Sequence, residues 1–303
     1  MDTGPRRLNR AALAAAACLA LAACGGRKYP AYSPHENILS IATEFQLLAA
    51  QDPYYDPPAR DLAGQTLARA TLVRLENYQE LHPERFAPEI DMLRARALEW
   101  LGDLAAAERI YDELASTPGE LRDTARSRLA ALRRVTQAPG APDRADELLA
   151  RLEQLAAESR AYADLTLDSQ DPFYASLARR EWENADVRRA ELIAANVLLL
   201  PNGEELARSA LDELVRTHQN SARALEHALR LGDFHADMAR LELRLNPPGQ
   251  AFFDRARFQR HYEAAADLYY RVSQADGRPE RLVAKHRLDA LLALGTLVSQ
   301  RAD

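Results

Sequence analysis

Residues 98–114 constrain the fold more than any other part of the chain, because they contain the end of one helix, a tight turn and the start of another. Gly102 can adopt the positive φ that ends a helix, and the Asp103 side chain can accept a hydrogen bond from an unpaired backbone N–H. Apolar residues follow at spacings of three and four, at Leu104, Ala107, Tyr111 and Leu114. This spacing places them on one helix face, so the segment predicts an α-helical hairpin.

The composition extends this prediction to the whole chain. Ala, Leu, Arg and Glu, which lose little freedom in a helix, dominate, and there are few β-branched runs. Breaks at proline and glycine separate about eleven helical segments and no strand. We expect these helices over 35–51, 59–81, 89–101, 103–116, 120–135, 144–165, 173–200, 204–217 and 222–245, then a segment ending near 274 and a last one over 280–299.

The first residues have the pattern of an export signal. Three arginines precede an apolar run over residues 11–23, which is too short to span a bilayer, and the run ends at Leu21-Ala22-Ala23-Cys24. This ending resembles the lipobox of bacterial lipoproteins, which implies removal of residues 1–23 and lipid on Cys24. Because Gly25 rather than Asp follows the cysteine, the resemblance also implies the periplasmic face of the outer membrane.

The remaining chain is expected to form a tether and two helical halves. Residues 24–34 have no hydrophobic period and two prolines, as in a short tether. A Pro- and Gly-containing stretch near residues 137–143 separates an N-terminal half, 35–136, from a C-terminal half, 144–303. The formal charge of −6 offers no basic surface for nucleic acid, so we expect no nucleic-acid partner.

One apolar pattern occurs in three of the expected helices. The spacing is three, four and three with alanine second: Leu104-Ala107-Tyr111-Leu114, Glu204-Ala207-Leu211-Leu214 and Tyr262-Ala265-Tyr269-Val272. A small residue followed by a large one lets two helices approach closely. Such a unit needs stacked neighbours to bury its apolar face, so we expect an all-α array of stacked antiparallel hairpins.

With Ala95 and Leu98 before the turn and Ala107 and Tyr111 after it, residues 89–118 resemble a tetratricopeptide repeat. A second unit over 189–220, with Ala195, Ala207 and Leu211, and a partial third over 262–278 are similar to the same family, with irregular spacing. The resemblance implies an α-solenoid whose first helices line a partner-binding groove. Carried onto the two best units, it implies a groove lined by Met92, Arg96, Glu99, Arg189, Leu192 and Asn196.

Two matched segments are further candidates for partner binding. Gln51-Asp52-Pro53-Tyr54-Tyr55 and Gln170-Asp171-Pro172-Phe173-Tyr174 have the same pattern. The aromatic residues Tyr54, Tyr55, Phe173 and Tyr174 could anchor a partner. Alternatively, each Asp caps a turn or helix that the Pro begins, and the aromatic rings pack under a neighbouring hairpin.

The sequence gives little support for chemistry. It contains no zinc-hydrolase, nucleophile-elbow, dinucleotide-binding or P-loop motif, and its seven histidines are scattered. We expect no catalytic residues, no cofactor and no metal. The sequence favours a lipid-anchored periplasmic scaffold that binds a protein or peptide of the cell envelope. A peptidoglycan-metabolising enzyme on a helical body and a purely structural spacer are the alternatives.

Overall fold

The computed structural model describes residues 34–50, 52, 54, 64–137 and 147–302, and within these ranges the regular secondary structure is helical, without strands. The expected all-α fold is therefore confirmed. The eleven helices of the described ranges are α1 (Pro34–Ala49), α2 (Gly64–Leu81), α3 (Ala87–Leu101), α4 (Leu104–Ser116), α5 (Arg122–Thr136), α6 (Leu148–Asp168), α7 (Pro172–Ala195), α8 (Gly203–Thr217), α9 (Ala224–Leu245), α10 (Arg255–Ser273) and α11 (Glu280–Ala302).

Several expectations concern residues outside these ranges. They include the signal peptide (1–23), Cys24 and nearly all of the tether, Tyr55, and the stretch 138–146 between the two expected halves. None of the helices in the described ranges combines the length and the apolar character that crossing a bilayer requires.

The helices stack in chain order. Each helix packs against the next, and α1 also contacts α3, as α5 contacts α7 and α9 contacts α11. The buried apolar residues accordingly form four successive clusters, which are shared by α1–α3, by α3–α5 with α7, by α7–α10 and by α9–α11. Contacts confined largely to near neighbours are characteristic of a solenoid-like array of hairpins.

The turn between α3 and α4 has the geometry that the sequence predicts. Gly102 adopts φ 82°, and its N–H donates to the Glu99 carbonyl at 3.1 Å. The Asp103 carboxylate accepts from the Ala106 N–H at 3.1 Å and so caps α4. Helix end, turn and helix start are therefore determined by local residues.

The small-then-large pattern is buried in all three helices. The alanines at its second position are completely buried, and the larger residues one turn later are nearly so: Ala107 and Tyr111, Ala207 and Leu211, Ala265 and Tyr269. The assignment of Ala195 to the corresponding small position of the second unit is wrong, because this residue is exposed at the end of α7. Ala190 is buried in the core there instead.

The predicted extension of α7 to residue 200 is also wrong, because the helix ends at Ala195. The Asn196 N–H donates to the carbonyl three residues earlier, at Ile193, and the chain then folds into successive turns. Asn202 adopts φ 52°, and Gly203 begins α8 with its backbone against residue 197. A Cβ on Gly203 would lie 2.1 Å from the Val197 carbonyl oxygen.

This contact predicts a large cost for Gly203→Ala. A methyl group cannot fit against a backbone oxygen without moving the α7–α8 connection, so we expect a loss of about 3 kcal/mol in the free energy of unfolding. Gly119→Ala is the control, since a Cβ there meets no atom within 4 Å. Urea unfolding measures both variants, and equal stabilities of the two would contradict the packing at residue 203.

Candidate functional site

An open groove among the described residues lies between α6 and α7. It encloses about 470 Å³ and is lined by Arg151, Gln154, Leu155, Glu158, Arg188, Glu191 and Leu192. Leu155 and Leu192 supply apolar surface, and charged groups of both signs surround them. Inside the groove the buried Glu158 accepts from Arg188 Nη2 at 2.7 Å, which fixes one wall. This arrangement can hold an apolar side chain of a partner between polar walls.

Of the second predicted set of groove residues, one lines this groove, and the other two lie on or just after the same helix. Leu192 lines the cavity directly, and Arg189 is half-buried on the same helix. Asn196 lies just after α7, where its side-chain amide donates to the Leu192 carbonyl at 2.8 Å. Partner binding by these residues stays a prediction, but the structure places one of them in an open groove.

The first predicted set lies mainly in the interior. Met92 is 8% exposed and Glu99 is 3% exposed, and Arg96 lies over the ring of Phe45 with 5.5 Å between the guanidinium carbon and the ring centroid. The physical reason is that α3 has α1 and α2 on one side and α4, α5 and α7 on the other. Met92 and Glu99 therefore offer no open surface in this structure.

Glu99 instead joins four helices through its carboxylate. One oxygen accepts from Tyr111 Oη at 3.0 Å and from Arg128 Nη1 at 3.2 Å, and the other accepts from the Tyr174 hydroxyl. Burial raises the pKa of Glu99, and the hydrogen bond from Tyr174 and the charge of Arg128 oppose this rise. Burial and the neighbouring carboxylate raise the pKa of both tyrosines, which therefore remain hydrogen-bond donors.

The aspartates of the two matched segments make the same local hydrogen bond. The Asp52 carboxylate accepts from the Tyr54 N–H at 2.9 Å, and the Asp171 carboxylate accepts from the Phe173 N–H at the same distance. Asp52 also contacts α7, because the Ser176 hydroxyl in the second turn of this helix donates to the Asp52 carboxylate at 2.5 Å. Tyr54 is buried against α7 and the α8–α9 turn.

The aromatic residues of these segments are packed inside the described chain. Tyr54 and Tyr174 are buried, and Phe173 is half-buried with its ring centroid 5.8 Å from that of Trp100. The alternative interpretation, in which the rings pack under a neighbouring hairpin, accounts for this placement. Tyr55 lies outside the described residues.

Tyr54 ends a chain of four hydrogen-bonded polar side chains, of which two are buried and two are partly buried. Its hydroxyl lies 3.0 Å from His218 Nδ1, and His218 Nε2 lies 3.0 Å from Asp186 Oδ2. The other Asp186 oxygen accepts from the Ser159 hydroxyl at 2.6 Å. Sequence reasoning missed this cluster, since its members come from four separate parts of the chain and no spacing connects them.

A second histidine and carboxylate meet three residues earlier on α7. Glu183 accepts from the Ser221 hydroxyl at 2.6 Å and from His227 Nε2, while Arg230 Nη1 donates to His227 Nδ1 at 3.4 Å. Burial lowers the pKa of His227, and it would raise that of Glu183, but the two hydrogen bonds and the charges of His227 and Arg223 lower the latter. At neutral pH the geometry thus fits a neutral imidazole donating to a carboxylate.

These clusters contain the residue types of a hydrolase but lack its arrangement. In each one the serine and the histidine both bond to the carboxylate and not to each other, so the imidazole cannot take the serine proton. His218 and His227 are completely buried, and neither lines the groove between α6 and α7. The arrangement fits structural hydrogen bonding.

Two further histidines pair between α9 and α10. His235 Nδ1 lies 3.0 Å from His261 Nδ1, and His261 Nε2 lies 2.9 Å from Glu204 Oε1. Burial, reinforced by the neighbouring His261, lowers the pKa of His235 to about 4. No group of three or more His, Cys, Asp or Glu side chains suited to a metal ion occurs in the described ranges.

Comparison with known proteins does not assign a family or a function to this chain. No family model matches the chain, and no curated protein matches it. Any function is therefore inferred from the site itself.

The Glu99 cluster predicts a strong effect of Glu99→Gln. Loss of the charge removes the closer and more deeply buried of the two carboxylates that pair with Arg128, the other being Asp171 at 3.5 Å, so we expect the free energy of unfolding to fall by about 3 kcal/mol. The matched control is Glu113→Gln on the exposed side of α4, for which we expect a change of about 0.5 kcal/mol or less. Chemical denaturation followed by circular dichroism distinguishes them, and a small effect of Glu99→Gln would exclude the proposed charge pairing.

The depressed pKa of His235 predicts acid destabilisation. The unfolded chain takes up a proton below about pH 6.5 that the folded protein resists down to about pH 4, so stability is lost as the pH falls through this range. The full contribution is about 3 kcal/mol. The free energy of unfolding, measured at neutral pH and at about pH 4.5, should decrease less between these two pH values in His235→Leu than in the wild type. His286→Leu, at an exposed histidine of α11, should retain the wild-type dependence, and a wild-type dependence in His235→Leu would refute the assignment.

Proposed function

We propose that this chain is a lipid-anchored helical scaffold that binds a protein or peptide of the cell envelope. The observation that supports it best is the groove between α6 and α7, which combines the apolar surface of Leu155 and Leu192 with arginine and glutamate side chains. Grooves with an apolar base and a few polar groups are typical of binding sites. The chain acts by binding in this proposal, without chemistry of its own.

The stacked hairpins support the same proposal. Solenoid-like arrays present extended surfaces for other proteins, since each hairpin contributes side chains at a regular position. Our specific proposal is a tetratricopeptide-like scaffold with irregularly spaced units. It is based on the buried small-then-large pairs Ala107-Tyr111, Ala207-Leu211 and Ala265-Tyr269. Two hydrogen bonds join α6 and α7 at this groove, one from Arg188 to Glu158 and one from Ser159 to Asp186.

The anchor and the location are proposed from the sequence. Cys24 follows an apolar run that has an arginine-rich start, and Gly25 stands where inner-membrane lipoproteins have Asp. The proposed location is therefore the periplasmic face of the outer membrane, where three acyl chains on Cys24 would anchor the protein stably. The partner is then an envelope protein that reaches the same compartment.

Crosslinking from the groove tests the proposed function. A photoreactive amino acid at Leu192 in the full-length chain, irradiated in intact cells, should give one discrete protein adduct. The control places the same group at Leu282, which is 72% exposed on α11. Adducts of equal pattern and yield from both positions, or adducts to lipid alone from Leu192, would argue against the groove as the binding site.

A further inference from the structure

Two connections between helices expose large apolar side chains to solvent. In the connection after α7, Leu198 is 71% exposed and Leu199 is 76% exposed, and in the connection after α9, Phe252 is 83% exposed. Leu245, the last residue of α9, is 59% exposed. Single exposed leucines are common on protein surfaces, but a group of them at one place marks an interaction site.

The two connections lie at the same end of the helical stack. A cleft of about 600 Å³ is lined by Leu198 in the first connection, by Leu241 one turn before the end of α9, and by Arg257 in the first turn of α10. Arg257 Nη2 also donates to Glu204 Oε2 at 2.5 Å, which joins the start of α10 to the start of α8. The exposed side chains therefore share one end of the α7–α10 bundle. We call this set the apolar edge, and it consists of Leu198, Leu199, Leu245 and Phe252.

Two arginines flank the apolar edge in the sequence. Arg244 immediately precedes Leu245, and Arg255 follows Phe252 by three positions. Both arginines are exposed, and neither forms a hydrogen bond or an ion pair with any residue that the structure describes. Their charges are therefore available to a binding partner at the same end as the apolar side chains.

The acidic side chains at the starts of α8 and α10 and in the last turn of α9 are engaged within the protein. They are Glu204, Glu205, Glu242 and Asp254. The three glutamates each accept a hydrogen bond from an arginine side chain, and Asp254 accepts from a backbone N–H in the first turn of α10. No ion pair thus cancels the charges of Arg244 and Arg255, although the chain as a whole has a formal charge of −6.

From this combination we propose that the apolar edge docks on a lipid bilayer that contains anionic headgroups. Leu198, Leu199 and Phe252 enter the boundary between headgroups and acyl chains, and the two flanking arginines contact lipid phosphates. A bilayer fits this edge because the projecting side chains come from two connections with a cleft between them, and a fluid surface accommodates both without a complementary shape. The inference goes beyond the proposed scaffold function and requires no lipid on Cys24.

A fluorescent probe at the edge tests the docking. In the full-length chain with Cys18→Ser and Cys24→Ser, which has no other cysteine, Phe252→Cys is labelled with a nitrobenzoxadiazole group. Vesicles of phosphatidylethanolamine and anionic phosphatidylglycerol should raise the fluorescence at least about twofold, and spin-labelled lipid should quench it. The matched control carries the label at Leu282→Cys, which is equally exposed near the start of α11, and should show neither effect. Because the probe reports its own surroundings, the result does not depend on how residues 1–24 bind the vesicles.

Reversal of the arginine charges tests the lipid chemistry. Arg244→Glu/Arg255→Glu in the labelled chain should need at least about tenfold more lipid for the half-maximal response, because both contacts with anionic headgroups become repulsive. Arg109→Glu/Arg126→Glu, at two exposed arginines of α4 and α5, is the matched control and should leave the lipid dependence unchanged. Circular dichroism checks that both double variants are folded.

Several outcomes would overturn the proposal. They are an unchanged signal at residue 252, equal responses at residues 252 and 282, and an unchanged lipid dependence after reversal of the arginine charges. A signal that rises with protein concentration without vesicles would assign the edge to a second copy of the chain instead. If Phe252→Cys does not fold, a label at Leu199→Cys in the other connection should give the same response to vesicles.

The results separate this proposal from the scaffold function. Failure of the probe response together with a discrete crosslink at Leu192 removes the bilayer contact and leaves the groove as the binding site. Failure of the crosslink together with a specific probe response removes the groove and leaves the bilayer contact.

Discussion

Pairing of buried carboxylates across helices is the interaction on which the stacking depends. Glu99 of α3 is satisfied by α4, α5 and α7, Glu183 of α7 by α9 and the preceding turn, and Glu242 of α9 by Arg257 of α10. Faces rich in Ala and Leu could pack in more than one register, because apolar contacts have little direction. A slip of one turn would leave a buried charge without its partner, at a cost of about 3 kcal/mol or more. The carboxylates therefore select one register among the several in which the apolar faces alone could pack.

Helix α7 connects these interactions. It contacts α3 through Tyr174, α6 through Asp186 and Arg188, and α9 through Glu183, and it packs against α5 and α8 as well. Because neighbours surround it, polar and apolar residues alike are buried along its length, and it shows no simple amphipathic pattern. The same surroundings explain why the groove and the buried clusters around Glu183 and Asp186 all involve this helix.

The sequence predicts the features that depend on near neighbours. Gly102 with Asp103 specifies a turn, and the small-then-large pattern specifies which face of α4, α8 and α10 is buried. It does not predict which polar residues face another helix, so Glu99 was expected in an open groove although the structure buries it. The end of α7 was missed for a related reason, since Gly203 against the residue-197 carbonyl is a contact made only once the chain has folded back. Pairing of Tyr54 with His218 requires the whole stack to be assembled.

The groove and the buried contacts of α7 lie on different sides of that helix. Ser176 and Leu192 are sixteen positions apart, and at about 100° per residue they point to nearly opposite sides of α7. Ser176 is buried and donates to Asp52, whereas Leu192 lines the groove. Adjacent residues of α6 contact α7 at both places, since Glu158 accepts from Arg188 at the groove and Ser159 donates to Asp186, which lies 3.0 Å from His218. The buried polar contacts can therefore hold α7 in the stack while its other side lines the groove.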